Sequence, residues 1–267
     1  MHFPKVSTAV GLLALLPATI ASPLGLFHRD SSTGRPKLGN IPYGVDINHC
    51  TVPGTIALTY DDGPYIYTSE ILDLLKEFDA KATFFVTGNN IGKGAIDSPS
   101  QPWAGVIKRM ESEGHQIASH TWTHQDLSAI SESARKDEMY NNENAIRNII
   151  GKFPTYMRPP YSSCTANSGC VRTMEELGYH IIYFDLDTDD YNNVTPELIP
   201  NAKSNFARAV DGTPAAQNDF LAIAHDIHEQ TARSLTRFML ETIKKNGYKA
   251  VTVGECFGDS KDNWYRS

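Results

Sequence analysis

The sequence predicts an α/β protein built on a parallel sheet, either open or closed into a barrel. Three observations carry this. Short apolar runs recur along the chain without strict alternation, as in strands buried on both faces. Stretches with helical spacing lie between them. Most of those stretches stop at a glycine, a common helix terminator. Alternation of this kind is the pattern of β–α–β units.

The chain starts with Lys5 and an apolar stretch from Ala9 to Ile20, followed by small residues. This predicts a secretory signal over 1–21, cleaved after Ala21. The run is too short for a membrane span and Pro17 breaks it. Residues 22–40 are rich in Ser, Gly, Pro and charge and predict a flexible leader. Order is expected from Ile41, with one domain over 41–267. The candidate strands are Thr55–Tyr60, Ala82–Val86, Gln116–Ser119, Tyr156–Arg158, His180–Phe184, Phe220–Ala224 and Ala250–Val253. Between them, Ile71, Leu72, Leu75 and Phe78 mark a helix, with Ser69 as its candidate N-cap. Val106, Ile107 and Met110 lead to Gly114; Ala145, Ile146, Ile149 and Ile150 lead to Gly151. Met174 and Leu177 lead to Gly178, and Leu235, Phe238, Met239 and Ile243 to Gly247.

A chain of 267 residues suffices for one large domain. Net charge is −7, so there is no basic footprint for nucleic acid. Beyond the N-terminal run no segment is apolar enough to span a membrane, and the polar tail Asp259–Ser267 does not suit a lipid anchor. The four cysteines allow three pairings if the chain is secreted. Cys164 and Cys170 are close enough for a local bridge, which leaves Cys50 with Cys256. Zinc–cysteine spacing is lacking. Asn193-Val194-Thr195 matches a glycosylation acceptor, with Pro196 after it.

In parallel α/β folds, chemistry gathers where strands end. Here those ends deliver Asp61 and Asp62, His120, Arg158, Asp187 and His225. Taken alone, Asp61-Asp62-Gly63-Pro64 reads as a turn. His120 and His124 are four residues apart and would share one face of a helical turn, which suits zinc. A metalloprotease would carry Glu after the first His; this chain has Thr121. With a carboxylate from another strand they make a His-His-Asp set with a position left for water. His225 leaves an apolar strand and is a candidate acid. His228 is read as structural.

Thr59-Tyr60-Asp61-Asp62-Gly63-Pro64, His120-Thr121-Trp122-Thr123-His124, Arg158-Pro159-Pro160-Tyr161, Asp187-Thr188-Asp189-Asp190-Tyr191 and Ile223-Ala224-His225 occur in that order. They resemble the five motifs of the polysaccharide deacetylase family, carbohydrate esterase family four, over roughly Gly44 to Phe257. The secreted, four-cysteine form is most similar to fungal chitin deacetylases. The resemblance implies a distorted (β/α) barrel of about seven parallel strands in a single domain. It implies Asp61 as general base, oriented by Arg158, and His225 as general acid, tuned by Asp187. Asp62, His120 and His124 would hold Zn²⁺, or Co²⁺ or another divalent ion. The Tyr161 N–H would bind the oxyanion, Ile223 would line the acetyl pocket, and Tyr191 would lie near the substrate. Tyr191 stands where many members have Trp, and Tyr60 where Phe is more frequent. The implied activity is N-deacetylation of chitin or chitooligosaccharides, with O-deacetylation of acetylxylan as the alternative. A secreted monomer in the extracellular space or cell wall is expected, with no nucleic-acid or membrane partner.

Overall fold

A computed structural model describes residues 35–267. The expected signal, and the leader up to residue 34, lie outside the described residues. The end of the leader does not: Arg35 donates to both carboxylate oxygens of the buried Glu143, one at 2.8 Å. Order therefore starts ahead of Ile41, because a buried carboxylate holds the segment down.

The strands are β1 (Asp46–Ile47), β2 (Thr55–Asp61), β3 (Thr83–Val86), β4 (Gln116–Ser119), β5 (Phe153–Pro154), β6 (Tyr156–Met157), β7 (His180–Ile182), β8 (Leu186–Asp187), β9 (Phe220–His225), β10 (Lys249–Val251) and β11 (Tyr265–Arg266). The helices are α1 (Thr68–Glu77), α2 (Trp103–Ser112), α3 (Glu132–Ile150), α4 (Cys170–Glu176), α5 (Ile199–Val210), α6 (Thr236–Lys245) and α7 (Val253–Cys256). The main sheet runs β1-β7-β6-β4-β3-β2-β9-β8, with β10 added beside β2. Every pairing in it is parallel, and it is curled into a half-barrel. A short antiparallel pair joins β11 to β5.

Alternation along the strands sorts the core into two layers. On one face, Ile56, Leu58, Tyr60 and Phe84 pack under Ile71 and Leu75 of α1 and Met239 of α6. On the other, Ala57, Phe85, Ala118 and Leu221 meet Val253, Phe257 and Trp264 from the end of the chain. Thr59 and Asp61 share this second face, so β2 carries its last carboxylate into the hollow of the half-barrel. Both disulfides expected from the sequence are present, Cys50–Cys256 and Cys164–Cys170.

The expected helix cap differs. Tyr67, not Ser69, is the N-cap of α1, and Ser69 lies inside the helix. Thr68 Oγ1 instead accepts from the Tyr65 N–H at 2.8 Å and donates to Asp226 at 2.6 Å. That preceding turn starts the helix two residues early. Asn193 differs as well. Its side chain is buried, and its amide nitrogen donates to the Asp189 carbonyl at 2.7 Å. A glycan could not be attached there without undoing this packing.

Candidate active site

Parallel register sets the first contact. Asp61, last in β2, lies opposite His225, last in β9. Both therefore reach the mouth of the half-barrel together. Asp61 is 1% exposed. One of its oxygens accepts from Arg158 Nη1 at 2.8 Å. The same nitrogen donates to Thr59 Oγ1 at 2.6 Å, and Nη2 to the Tyr183 carbonyl at 2.6 Å. Arg158 is thus fixed by backbone and side chain before it touches Asp61, and its plane lies over Phe85 at 4.2 Å.

Asp62 follows with φ +78°, a left-handed conformation that turns its side chain away from that of Asp61. It faces His120 and His124. The two imidazoles do not share a helical face as expected. They sit on an irregular loop after β4, where Thr121 (φ +71°) and His124 (φ +63°) reverse the backbone. Loop curvature rather than helical period brings the rings to 5.0 Å between centroids. His120 Nδ1–H donates to the Arg158 carbonyl at 2.7 Å, which leaves the Nε2 lone pair pointing at the carboxylates.

Asp62, His120 and His124 each offer one ligand atom, all within 4.8 Å of one another. Asp62 Oδ1 is buried and has no hydrogen-bond partner among the described residues. The Nε2 atoms of His124 and His120 lie 3.1 and 3.6 Å from it. Burial works against its charge, but the two imidazoles outweigh that and hold the carboxyl well below the usual range. An orphaned buried oxygen facing two imidazole nitrogens fits a divalent cation, and the mixed set suits zinc.

These residues, with Arg158, Tyr161, Tyr191 and Ile223, surround a cavity of about 450 Å³. Tyr161 is 70% exposed at its rim, with φ +58° and its ring edge-on to His124.

A model described as polysaccharide deacetylase matches residues 48–182. The chitin deacetylase of Colletotrichum lindemuthianum is 43% identical over 267 residues, covering 100% of both chains. The chain belongs to the polysaccharide deacetylase family. A chitin deacetylase of a Pestalotiopsis species is 41% identical over 96% of this chain and 78% of its own length. The solved structure of the Colletotrichum lindemuthianum enzyme superposes with a TM-score of 0.79 at 44% identity, covering 85% of this chain and 97% of that one.

One motif of this polysaccharide deacetylase is wired differently from expectation. Asp187 was expected to tune His225, but Asp190 holds it. The His225 Nδ1–H donates to Asp190 Oδ1 at 2.8 Å, and its backbone N–H donates to Oδ2 at 2.7 Å. Thr231 also donates to Oδ2 at 2.7 Å. Asp189 takes φ +56° and reverses the chain, which sends Asp190 inward. Asp187 stays exposed and accepts from the Tyr191 hydroxyl at 3.0 Å. Burial opposes a charged imidazole at His225, but Asp190 prevails and raises its pKa to about 9. The run Asp189-Asp190 held the signal, yet nothing in its spacing separates the inward carboxylate from the solvated one.

Lys93 was not anticipated. It lies in a loop between glycines and is 4% exposed. Its ammonium donates to the Asp62 and Gly63 carbonyls at 2.8 Å each and to Thr87 Oγ1 at 2.7 Å. Thr87 adds Oγ1 to the Asp62 carbonyl at 2.5 Å. Together they brace the turn that carries Asp62. Asp226 packs beneath; a Cβ on Gly63 would lie 1.9 Å from its Oδ2, so glycine is required by close approach. No helix among the described residues is long and apolar enough to cross a membrane.

Proposed function

We propose that this protein hydrolyses the N-acetyl groups of N-acetylglucosamine units in chitin or its oligomers, releasing acetate. The observation that carries this is Asp61 opposite His225 across adjacent strands, over the Asp62–His120–His124 donor set. Full-length similarity to proteins named chitin deacetylases supports the amide substrate over the ester of acetylxylan.

Asp62, His120 and His124 would hold Zn²⁺, with Co²⁺ as another fit. When bound, the ion supplies Lewis acidity at the acetyl carbonyl and lowers the pKa of its water toward about 7. Asp61 takes the proton of the attacking water while Arg158 fixes which oxygen faces the site. The Tyr161 N–H donates to the oxyanion that develops at the acetyl carbon. As the C–N bond breaks, His225 donates its Nε2 proton to the departing amine. Asp190 makes that possible by keeping Nδ1–H engaged. Nitrogen is a poor leaving group, so this acid matters more for an amide than for an ester. Acid and base roles each contribute about 10²- to 10⁴-fold. Ile223, 6% exposed in the pocket wall, suits the acetyl methyl group.

The proposal includes one catalytic domain that takes in Arg35 ahead of the expected start at Ile41, a cleaved secretory signal over 1–21, extracellular or cell-wall location and a monomer. Acetate measured from acetylated chitooligosaccharide and from acetylxylan tests it. Release from the first, lost with chelator and restored by Zn²⁺, is expected. Faster release from acetylxylan would overturn the substrate, and indifference to chelator would overturn the metal.

A further inference from the structure

A second groove adjoins the catalytic cavity. It has a volume of about 570 Å³ and is lined by the segment before β1, by the Cys164–Cys170 loop and by Tyr183. Ser162 lines both this groove and the cavity, so the two share a wall at this residue. Asp46 is the one charged group among the described residues that line it. Its carboxylate is exposed and takes part in no ion pair or hydrogen bond among the described residues. Burial pushes the Tyr183 hydroxyl up to about 12, and the charge of Asp46 adds to this.

The chemistry of the polymer gives this carboxylate a meaning. A fully acetylated chain is neutral along its whole length. Each turnover replaces one acetamide by an amine, which takes up a proton in neutral or mildly acidic solution. The only cation the substrate can offer Asp46 is therefore an earlier product of the same reaction. This inference rests on the deacetylase reading above.

We propose that the Asp46 groove is a subsite for an already deacetylated, cationic sugar unit next to the unit in the catalytic cavity. The groove meets the cavity only at Ser162 among the residues that line them, so the preference is directional. A chain threaded through both sites presents a new acetyl group to Asp61 while Asp46 holds the amine left behind. Deacetylation then spreads from existing amines rather than starting at random positions.

The test compares two tetramers, one fully acetylated and one carrying a single free amine. The ratio of their kcat/KM values is measured for wild type, Asp46→Asn and Asp46→Lys. Removing an exposed ion pair should lower the ratio about 3- to 5-fold in Asp46→Asn. Asp46→Lys should lower it further, since an ammonium would then meet an ammonium. Salt near 1 M, where screening acts over about 3 Å, should erase the wild-type preference. A ratio that is the same in all three proteins overturns the subsite. A wild type that releases acetate from neither tetramer overturns the deacetylase reading and takes the subsite with it.

Discussion

Asp61 and Asp62 are neighbours in sequence with different surroundings. Asp61 is held by Arg158, and Asp62 faces two imidazoles. Separate substitutions should separate them. Asp61→Asn should keep its metal, read by elemental analysis, and lose at least about 10²-fold in kcat. Asp62→Ala should lose the metal itself. A near-normal rate in Asp61→Asn would remove the base from the mechanism. His225 gives a pH dependence. In the proposed mechanism its imidazolium is the acid, so activity should fall as pH rises through its pKa. Asp190 lifts that value to about 9, and a cation at Asp62 would pull it down again. The alkaline limb of kcat should thus lie at or below about 9. In Asp190→Asn the counter-charge is gone and the limb should move to lower pH, as a pH–rate profile would record. An unshifted limb would detach Asp190 from the acid. The donors themselves were legible because each closes an apolar strand or stands in an ordered motif. Asp190 was not, because the reversal at Asp189 is a property of the backbone and leaves no periodic trace.

Elements were legible where burial dominates. β2 is buried at every position, and its apolar run stands out. Helix α3 ends at Gly151 with φ +75°, matching the expected stop. Helix α5 was missed, and its sequence explains why. Its buried residues Ile199, Ala202, Phe206 and Val210 are sparse, and Pro200 falls in its first turn, where it is tolerated but reads as a break. The two-residue strand β8 has no length from which to read a pattern. The His120–His124 loop shows the same limit: the spacing was informative while the helical geometry inferred from it was not. The turn after β2 supplies a prediction at this scale. Lys93→Met should remove the hydrogen bonds to the Asp62 and Gly63 carbonyls and the one to Thr87 Oγ1. Weaker metal affinity, by chelator competition, and an altered visible spectrum of the Co²⁺-loaded protein are expected. A variant with unchanged affinity and spectrum would make Lys93 a packing residue only.

Across the whole molecule, the parallel sheet, its covered faces and both disulfides follow from the pattern of runs and cysteines, whereas the strand order does not. The open curl of the sheet and the contribution of the last residues to its hollow do not. They depend on contacts between distant segments, such as Trp264 against the layer of Phe85. Cys50–Cys256 closes a span of 206 residues. The chain-entropy model assigns a loop of this length about 5 kcal/mol. Replacing both cysteines by serine should lower the unfolding free energy by roughly 2–5 kcal/mol in denaturant titration. A loss near zero would show that the ends are held without the bridge.

The docking of Arg35 has a practical consequence for where the chain can be cut. Glu143 is 2% exposed, and its partners are Arg35 and the Tyr179 hydroxyl at 2.7 Å. The Arg35 guanidinium also lies over the rings of Tyr140 and Phe153. A recombinant form started at Ile41, the boundary that composition suggests, would strand an anion in the interior, a loss of about 3–5 kcal/mol. Leader processing or trimming by a protease should therefore be tolerated upstream of Arg35 and damaging a few residues later.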